Sequence, residues 1–240
     1  MSETTFPAPI VEAIGLTKTF QQKHLEVPVL RGVDITIGAS EFTVIAGPSG
    51  SGKTTLLNML GLLDVPTSGR LSFGGNDLSG SSPTDLAALR RDHVGFVFQA
   101  YNLMPVLTAA ENTEMVLEFQ GVPPALRRAR STEVLRQLGM QDLMHRFPDQ
   151  LSGGQQQRVA VARAIASKPL LVIADEPTAN LDSRTAEQLM DLMTALNTDH
   201  GITFIFSSHD PHVIGRGRRV VTLQDGRIVA DTAQGQTHAA

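Results

Sequence analysis

Between the apolar run Glu41-Phe42-Thr43-Val44-Ile45-Ala46 and the run Thr55-Leu56-Leu57-Asn58-Met59-Leu60 lies Gly47-Pro48-Ser49-Gly50-Ser51-Gly52-Lys53-Thr54. The octapeptide fits G-x-x-x-x-G-K-S/T, a loop whose backbone N–H groups wrap around phosphate oxygens. Gly47, Gly50 and Gly52 let the chain turn tightly and approach those oxygens without a Cβ in the way. Lys53 brings a point charge to β- and γ-phosphates, and the Thr54 hydroxyl suits a Mg²⁺ ligand. The flanks read as a buried strand entering the loop and a helix leaving it, whose N-terminus favours an anion. At ordinary glycine frequencies the four fixed positions coincide in a chain of this length on the order of one time in a hundred. The pattern predicts an α/β fold that binds a nucleoside triphosphate through Gly47, Pro48, Ser49, Gly50, Ser51, Gly52, Lys53, Thr54 and Thr55.

Composition narrows what that nucleotide could drive. Twenty basic residues against 24 acidic ones give a net charge of −4, which argues against wholesale coating of nucleic acid, and no nucleic-acid partner is expected. With no cysteine, disulfides and thiolate metal sites are excluded, as suits a reducing cytosol. Met1-Ser2-Glu3-Thr4-Thr5 is not the basic start of a signal peptide. No apolar run approaches the ~20 residues needed to span a bilayer. The expectation is a protein that reaches a membrane only through a partner.

Taken in order, residues 1–9, with Pro7 and Pro9, read as a loose tail. Ile10 to Ile37 carries β-type alternation, clearest in Val33–Ile37, and predicts antiparallel strands. Ser82-Pro83 with Asp85 is a helix start, and Val94–Phe98 is an apolar strand ending at Gln99. From Ala100 to about Lys168 the pattern turns helical: Thr108-Ala109-Ala110-Glu111 is a capping box, and Leu126, Ala129, Val134 and Leu138 trace one apolar face. Arg127, Arg128 and Arg130 lie off that face and read as solvated. Strand–helix alternation resumes with Leu170–Ala174, a helix from Arg184, and Ile202–Phe206. Asp225-Gly226 then marks a hairpin, and residues 231–240 read as a second loose tail.

Four features belong beside a nucleotide. Asp175-Glu176 ends an apolar strand, where open α/β sheets bind ligands; Asp suits a water-bridged metal and Glu a base for an attacking water. Leu151-Ser152-Gly153-Gly154-Gln155, at the start of a helix rich in alanine, is a second anion site of the same physical kind as the first loop. Two such sites for one phosphate chain hint that the second serves another copy's nucleotide. Gln99 and His209 each end a strand; Gln offers a carbonyl oxygen to Mg²⁺ and the attacking water, and His a donor to the γ-phosphate.

The ordered set of Gly47–Thr54, Gln99, Leu151–Gln155, Leu170–Glu176, Asn180-Leu181-Asp182 and His209 resembles the nucleotide-binding subunit of ABC transporters over about Ile10 to Ala230. The resemblance implies a P-loop NTPase core with a mixed sheet, an antiparallel β subdomain and a helical insert, divided as 10–99 plus 169–230 for the core and 100–168 for the insert. It implies ATP and Mg²⁺ as cofactors and a head-to-tail dimer, each ATP lying between one copy's Gly47–Thr54 loop and the other's Ser152, Gly153, Gly154 and Gln155. Thr54, Gln99 and Asp175 would serve the metal. Glu176 would be the general base, His209 the γ-phosphate sensor, Asp182 part of the loop coupling the two sites, and Phe20 the aromatic stacked on adenine.

Ala174–Asp182 together with Phe98–Pro105 resembles more narrowly the lipoprotein-release and macrolide-export group, with Ala179 where Gly is usual and Ser208 where Thr is usual. Gly215 and Gly217 stand where the family commonly continues a helix. This implies an ATPase at the cytoplasmic face of the membrane, bound near Gln99–Leu107 to an integral membrane permease that exports or extracts a lipophilic substrate or lipoprotein. The alternatives are a permease-like complex that signals to envelope enzymes and a soluble ATPase acting on DNA or ribosomes; the latter relatives usually carry long coiled coils or paired ATPase units, which this chain lacks.

Overall fold

One helix is gripped between two sheets. The computed structural model describes residues 9–233 apart from His24. The strands β1 (Val11–Gln22) and β2 (Leu25–Ile37) form a long antiparallel ribbon, which β4 (Ser68–Phe73) and β5 (Asn76–Asp77) extend in the order β2-β1-β4-β5. The second sheet contains β3 (Phe42–Ala46), β6 (Val94–Val97), β7 (Leu171–Asp175), β8 (Thr203–Ser208), β9 (Arg219–Gln224) and β10 (Arg227–Ala233), in the order β10-β9-β3-β8-β7-β6. All its pairings are parallel except β9 with β10. This is the mixed α/β architecture expected, with the alternation of Val33–Ile37 lying in the antiparallel ribbon.

Period-2 alternation assigns each central strand's side chains to opposite faces. Ile45, Leu171, Ile173, Ile205 and Val221 face α1 (Lys53–Leu60), whose Leu56, Leu57, Met59 and Leu60 are covered in turn by Val11, Leu16, Leu30 and Ile35 of the ribbon. Phe42, Val44, Val172, Ala174, Phe204 and Phe206 face the helices that follow β6 in the chain. β3 and β8 are buried at every residue, the pattern of a parallel strand covered on both sides.

The helical stretch opens as its caps dictate. Ser82 caps α2 (Pro83–His93) and Thr108 caps α3 (Ala109–Phe119), each through a complete capping box. α4 (Pro124–Gln137) departs from the sequence reading in two ways. Leu126 is 60% exposed and Ala129 is exposed too, so of the expected face only Val134 and Leu138 are buried, joined by Ser131 and Leu135. Arg127 and Arg130 are not solvated either: Arg127 pairs with Glu118 at 3.5 Å, and Arg130 donates to the carbonyl of Ala166 at 3.1 Å and to Glu133 at 2.9 Å. Their aliphatic stems cover apolar surface while their heads tie α4 to its neighbours. α5 (Gly153–Ala166) lies so close to β6 that a Cβ at Gly95 would stand 2.3 Å from the Ala164 carbonyl oxygen. α6 (Ser183–His200) ends on Gly201 at φ 66°, and the short α7 (Pro211–Ile214) follows His209 directly.

Asp225 and Gly226 both have positive φ, 48° and 74°, as a tight hairpin requires. This turn does not project into solvent. Gly226 N–H donates to the Ser51 carbonyl at 3.0 Å, its own carbonyl accepts from Arg31 N–H at 2.9 Å, and a Cβ there would stand 2.1 Å from the Val29 oxygen. β10 runs on to Ala233, so residues 231–233 of the stretch read as a tail are paired with β9; residues 1–8 and 234–240 lie outside the described residues. Among the described residues no helix is long and apolar enough to cross a membrane.

Candidate functional site

Because β3, β6, β7 and β8 run parallel, their carboxyl ends share one edge of the sheet, and the segments that follow them converge there. They surround a 730 Å³ cleft lined by Pro48, Ser49, Gly50, Gly52, Lys53, Thr54, Thr55, Gln99, Glu176 and His209, with Val29 and Ala179 at its margins. Gly47 and Ser51 support the loop from behind. A Cβ at Gly47 would meet the Leu223 carbonyl oxygen at 2.1 Å, which is why this position accepts nothing larger. Ser51 is buried, and its hydroxyl has no partner among the described residues.

The cleft is built for an anion. α1 begins at Gly52 in the left-handed region, φ 103°, with no side chain capping its first N–H groups and no acidic residue in its first turn. Those N–H groups and the positive end of the helix dipole are left for a ligand. Lys53 Nζ is held over the loop by the carbonyls of Gly47 at 2.9 Å and Pro48 at 3.1 Å, so its charge is uncompensated by any described carboxylate.

Oxygen donors suited to a divalent metal lie beside the first turn of α1. Thr54 Oγ1 lies 3.1 and 3.3 Å from the two oxygens of Asp175, while Gln99 lines the same cleft. Among the described residues no group of three His, Asp or Glu side chains could hold a metal alone. A sparse, all-oxygen donor set of this kind is what Mg²⁺ takes when phosphates and water complete its shell.

Glu176 occupies a strained position, φ 46°, of the sort that persists where the surroundings impose it. Its N–H donates to the Ser207 hydroxyl at 3.0 Å, and its Oε1 stands 2.8 Å from His209 Nδ1. The Ser207 hydroxyl also bonds Asp175 Oδ1. Ser207 therefore ties the Asp175 carboxylate to the Glu176 backbone, a role the sequence reading missed. Its only sequence signal is a place two residues before His209 in a strand register that pairs it with Asp175. Asn180, part of the ordered set but given no role there, donates its Nδ2 to the Gln99 carbonyl at 2.9 Å, linking the turn after Glu176 to the segment that follows β6.

The remaining predicted residues lie elsewhere. Ser152 caps α5 through a reciprocal bond pair with Gln155, and Asp182 caps α6 by accepting from Thr185 N–H at 3.0 Å and Oγ1 at 2.7 Å. Those two bonds hold the Asp182 carboxyl below its usual range. Thr185 joins the two caps, since a Cβ at Gly154 would stand 2.3 Å from its methyl. Neither cap lines the phosphate cleft of its own chain. Phe20 lies on β1, 38% exposed, outside that lining, with Lys18 Nζ 5.0 Å from its ring centre.

A profile described as ABC transporter matches residues 30–179. The chain belongs to the ABC transporter family. Within it, the chain is 48% identical to the lipoprotein-releasing system ATP-binding protein LolD of Anaeromyxobacter dehalogenans, over 93% of this chain and 94% of that protein. It is 46% identical to the macrolide export ATP-binding/permease protein MacB of Marinobacter nauticus, over 94% of this chain but 35% of that protein. The chain thus spans about a third of the length of the MacB relatives it matches. Among solved structures, the ATP-binding cassette MJ0796 in a dimeric, ADP- and Pi-bound post-hydrolysis state superposes with a TM-score of 0.87 at 40% identity, over 94% of this chain and 99% of that one. The fold is that of an ABC ATPase cassette, and nucleotide binding and a P-loop core follow from membership.

Proposed function

We propose that this chain hydrolyses ATP as a head-to-tail pair and that the pair drives an integral membrane permease at the cytoplasmic face of a membrane. The observation that carries this reading is the split of the machinery. The cleft holds Lys53, Thr54, Glu176 and His209, while the second anion-type loop, Ser152–Gln155, caps α5 and does not line that cleft, which leaves it for a second copy. The dimeric state of the cassette MJ0796 supports the pairing.

Lys53 and the first N–H groups of α1 would hold the β- and γ-phosphates. Thr54 and Asp175, with Gln99 beside them, would hold Mg²⁺, which offsets phosphate charge. A water oxygen attacks the γ-phosphorus, the bond to the β-γ bridging oxygen breaks, and the water proton passes to Glu176. His209 lies beside Glu176 at 2.8 Å; it orients the carboxylate and presents its other ring nitrogen to the γ-phosphate. Phe20, with Lys18 on its ring, offers adenine a half-exposed surface. If sites are completed only by pairing, ATPase activity per molecule should rise with protein concentration. A specific activity constant across the range in which monomers become dimers would overturn the pairing.

The permease would dock along Gln99–Leu107. Met104 is 44% and Val106 74% exposed in this segment, and its shape is set from behind by buried Asn112, which bonds Met104 N–H at 2.8 Å and the carbonyls of Met104, Leu107 and Thr108. Val106→Asp should abolish co-purification with the permease while leaving basal hydrolysis within about twofold, as for a surface change away from the chemistry. Loss of both together would count against this docking place. Similarity to LolD and MacB points to a lipoprotein or lipophilic substrate, handled by export or extraction.

A further inference from the structure

Tyr101 and Asn102 stand consecutively in the left-handed region, φ 59° and 51°, a conformation that residues with a Cβ avoid. Local bonds alone are few: Tyr101 N–H to the Phe98 carbonyl at 3.2 Å and Asn102 N–H to the Ala100 carbonyl at 2.6 Å. The turn is gripped from outside by Arg163 of α5. Its Nη2 donates to the Tyr101 carbonyl at 2.9 Å and its Nη1 to the Asn102 carbonyl at 2.5 Å. No described carboxylate pairs with Arg163, and burial pulls its pKa down. A guanidinium withdrawn from water without a counter-charge is costly to keep, and an apolar side chain would pack the same gap at less expense.

The Tyr101 side chain touches α5 at its other end. Its hydroxyl lies 2.9 Å from where a Cβ on Gly153 would be. Gly153 and Arg163 are ten residues apart, roughly 15 Å along the helix. One strained turn is thus fastened to both ends of the helix that begins with Ser152–Gln155.

We propose that Arg163 and Tyr101 are positioning residues that lock the Gln99–Asn102 turn to α5, so that movement of the docking segment is delivered to the Ser152–Gln155 loop. This rests on the paired-cassette reading, and the two are separable by experiment. In the Glu176→Gln background, the ATP concentration that half-saturates dimerisation is read by light scattering. Nucleotide affinity of the monomer is read with a fluorescent ATP analogue at protein concentrations too low for pairing. If Glu176→Gln alone does not dimerise, the paired-cassette reading fails before the latch is tested.

If it dimerises, Arg163→Gln and Tyr101→Ala should each raise the half-saturating ATP by about tenfold, leave monomer affinity within about twofold, and together do no more than the worse single change. Effects that multiply, or monomer affinity falling in step with dimerisation, would overturn the latch. Should Arg163→Gln fail to fold, Arg163→Lys takes its place in the cycle. A second readout is hydrogen exchange in Tyr101→Ala: faster exchange at residues 151–156 with β7 unchanged supports the latch, and unchanged exchange at residues 151–156 overturns it.

Discussion

Glu176→Gln should lower ATP hydrolysis by about 10²–10⁴-fold, the usual worth of a positioned general base, while the protein still binds ATP and accumulates as a dimer. The substitution keeps the side chain's size and leaves the Glu176 N–H bonded to Ser207. It removes only the carboxylate that would take the water proton. With ATP and Mg²⁺ saturating, the variant should elute at twice the monomer mass by light scattering, and chelating the metal should slow what hydrolysis remains. A variant that stays monomeric would sink the shared-site arrangement; one that hydrolyses at the parent rate would remove Glu176 from the chemistry.

Gly95→Val should destabilise the fold by about 3 kcal/mol, at the upper end of the usual cost of overpacking a core. Already the first added atom would stand 2.3 Å from the Ala164 carbonyl oxygen and 3.2 Å from the Ala164 Cα. Neither neighbour can step aside, since both are helix backbone. β6 is an edge strand held by β7 alone, so the strand would be displaced, and with it Gln99. For a chain of this size the melting temperature should fall by roughly 6–12 °C, with hydrolysis falling in parallel at assay temperature. An unchanged melting temperature would mean that α5 does not lie this close to β6.

The same contact shows which parts of the site were legible in the sequence. Buried strands ending in Asp175-Glu176 and His209, the glycine-rich loop and the caps at Ser82 and Thr108 all announce themselves within a few residues, because strand periodicity and capping are local. Ala160, Ala162, Ala164 and Ala166 are visible as small residues, but the close passage of α5 over Gly95, at Ala164, joins positions some 70 apart. Ser207, Asn180 and Arg163 act through partners 31 to 81 residues away; no spacing rule connects them, and only tertiary packing, for Ser207 the parallel register of β7 and β8, brings them to their partners. Leu126 was misread for a related reason. At 100° per residue Leu126 stands about 140° around α4 from Ser131 and about 180° from Leu135, and which side of the helix is covered is set by its neighbours α3 and α5, not by the spacing of its own leucines.

The hairpin turn at Asp225-Gly226 has an engineering consequence. Tight hairpins at a sheet edge are ordinarily where a chain tolerates a tag, a new terminus or a spliced-in domain. Here the turn is wedged between Ser51 and Val29, with Arg31 bonded to it from the other side, so that it works as a keystone under the phosphate loop. Anything that lengthens it pushes directly on the residues that cradle the nucleotide. Reporters and permuted termini are better sited at the exposed turn around Gly121, between α3 and α4.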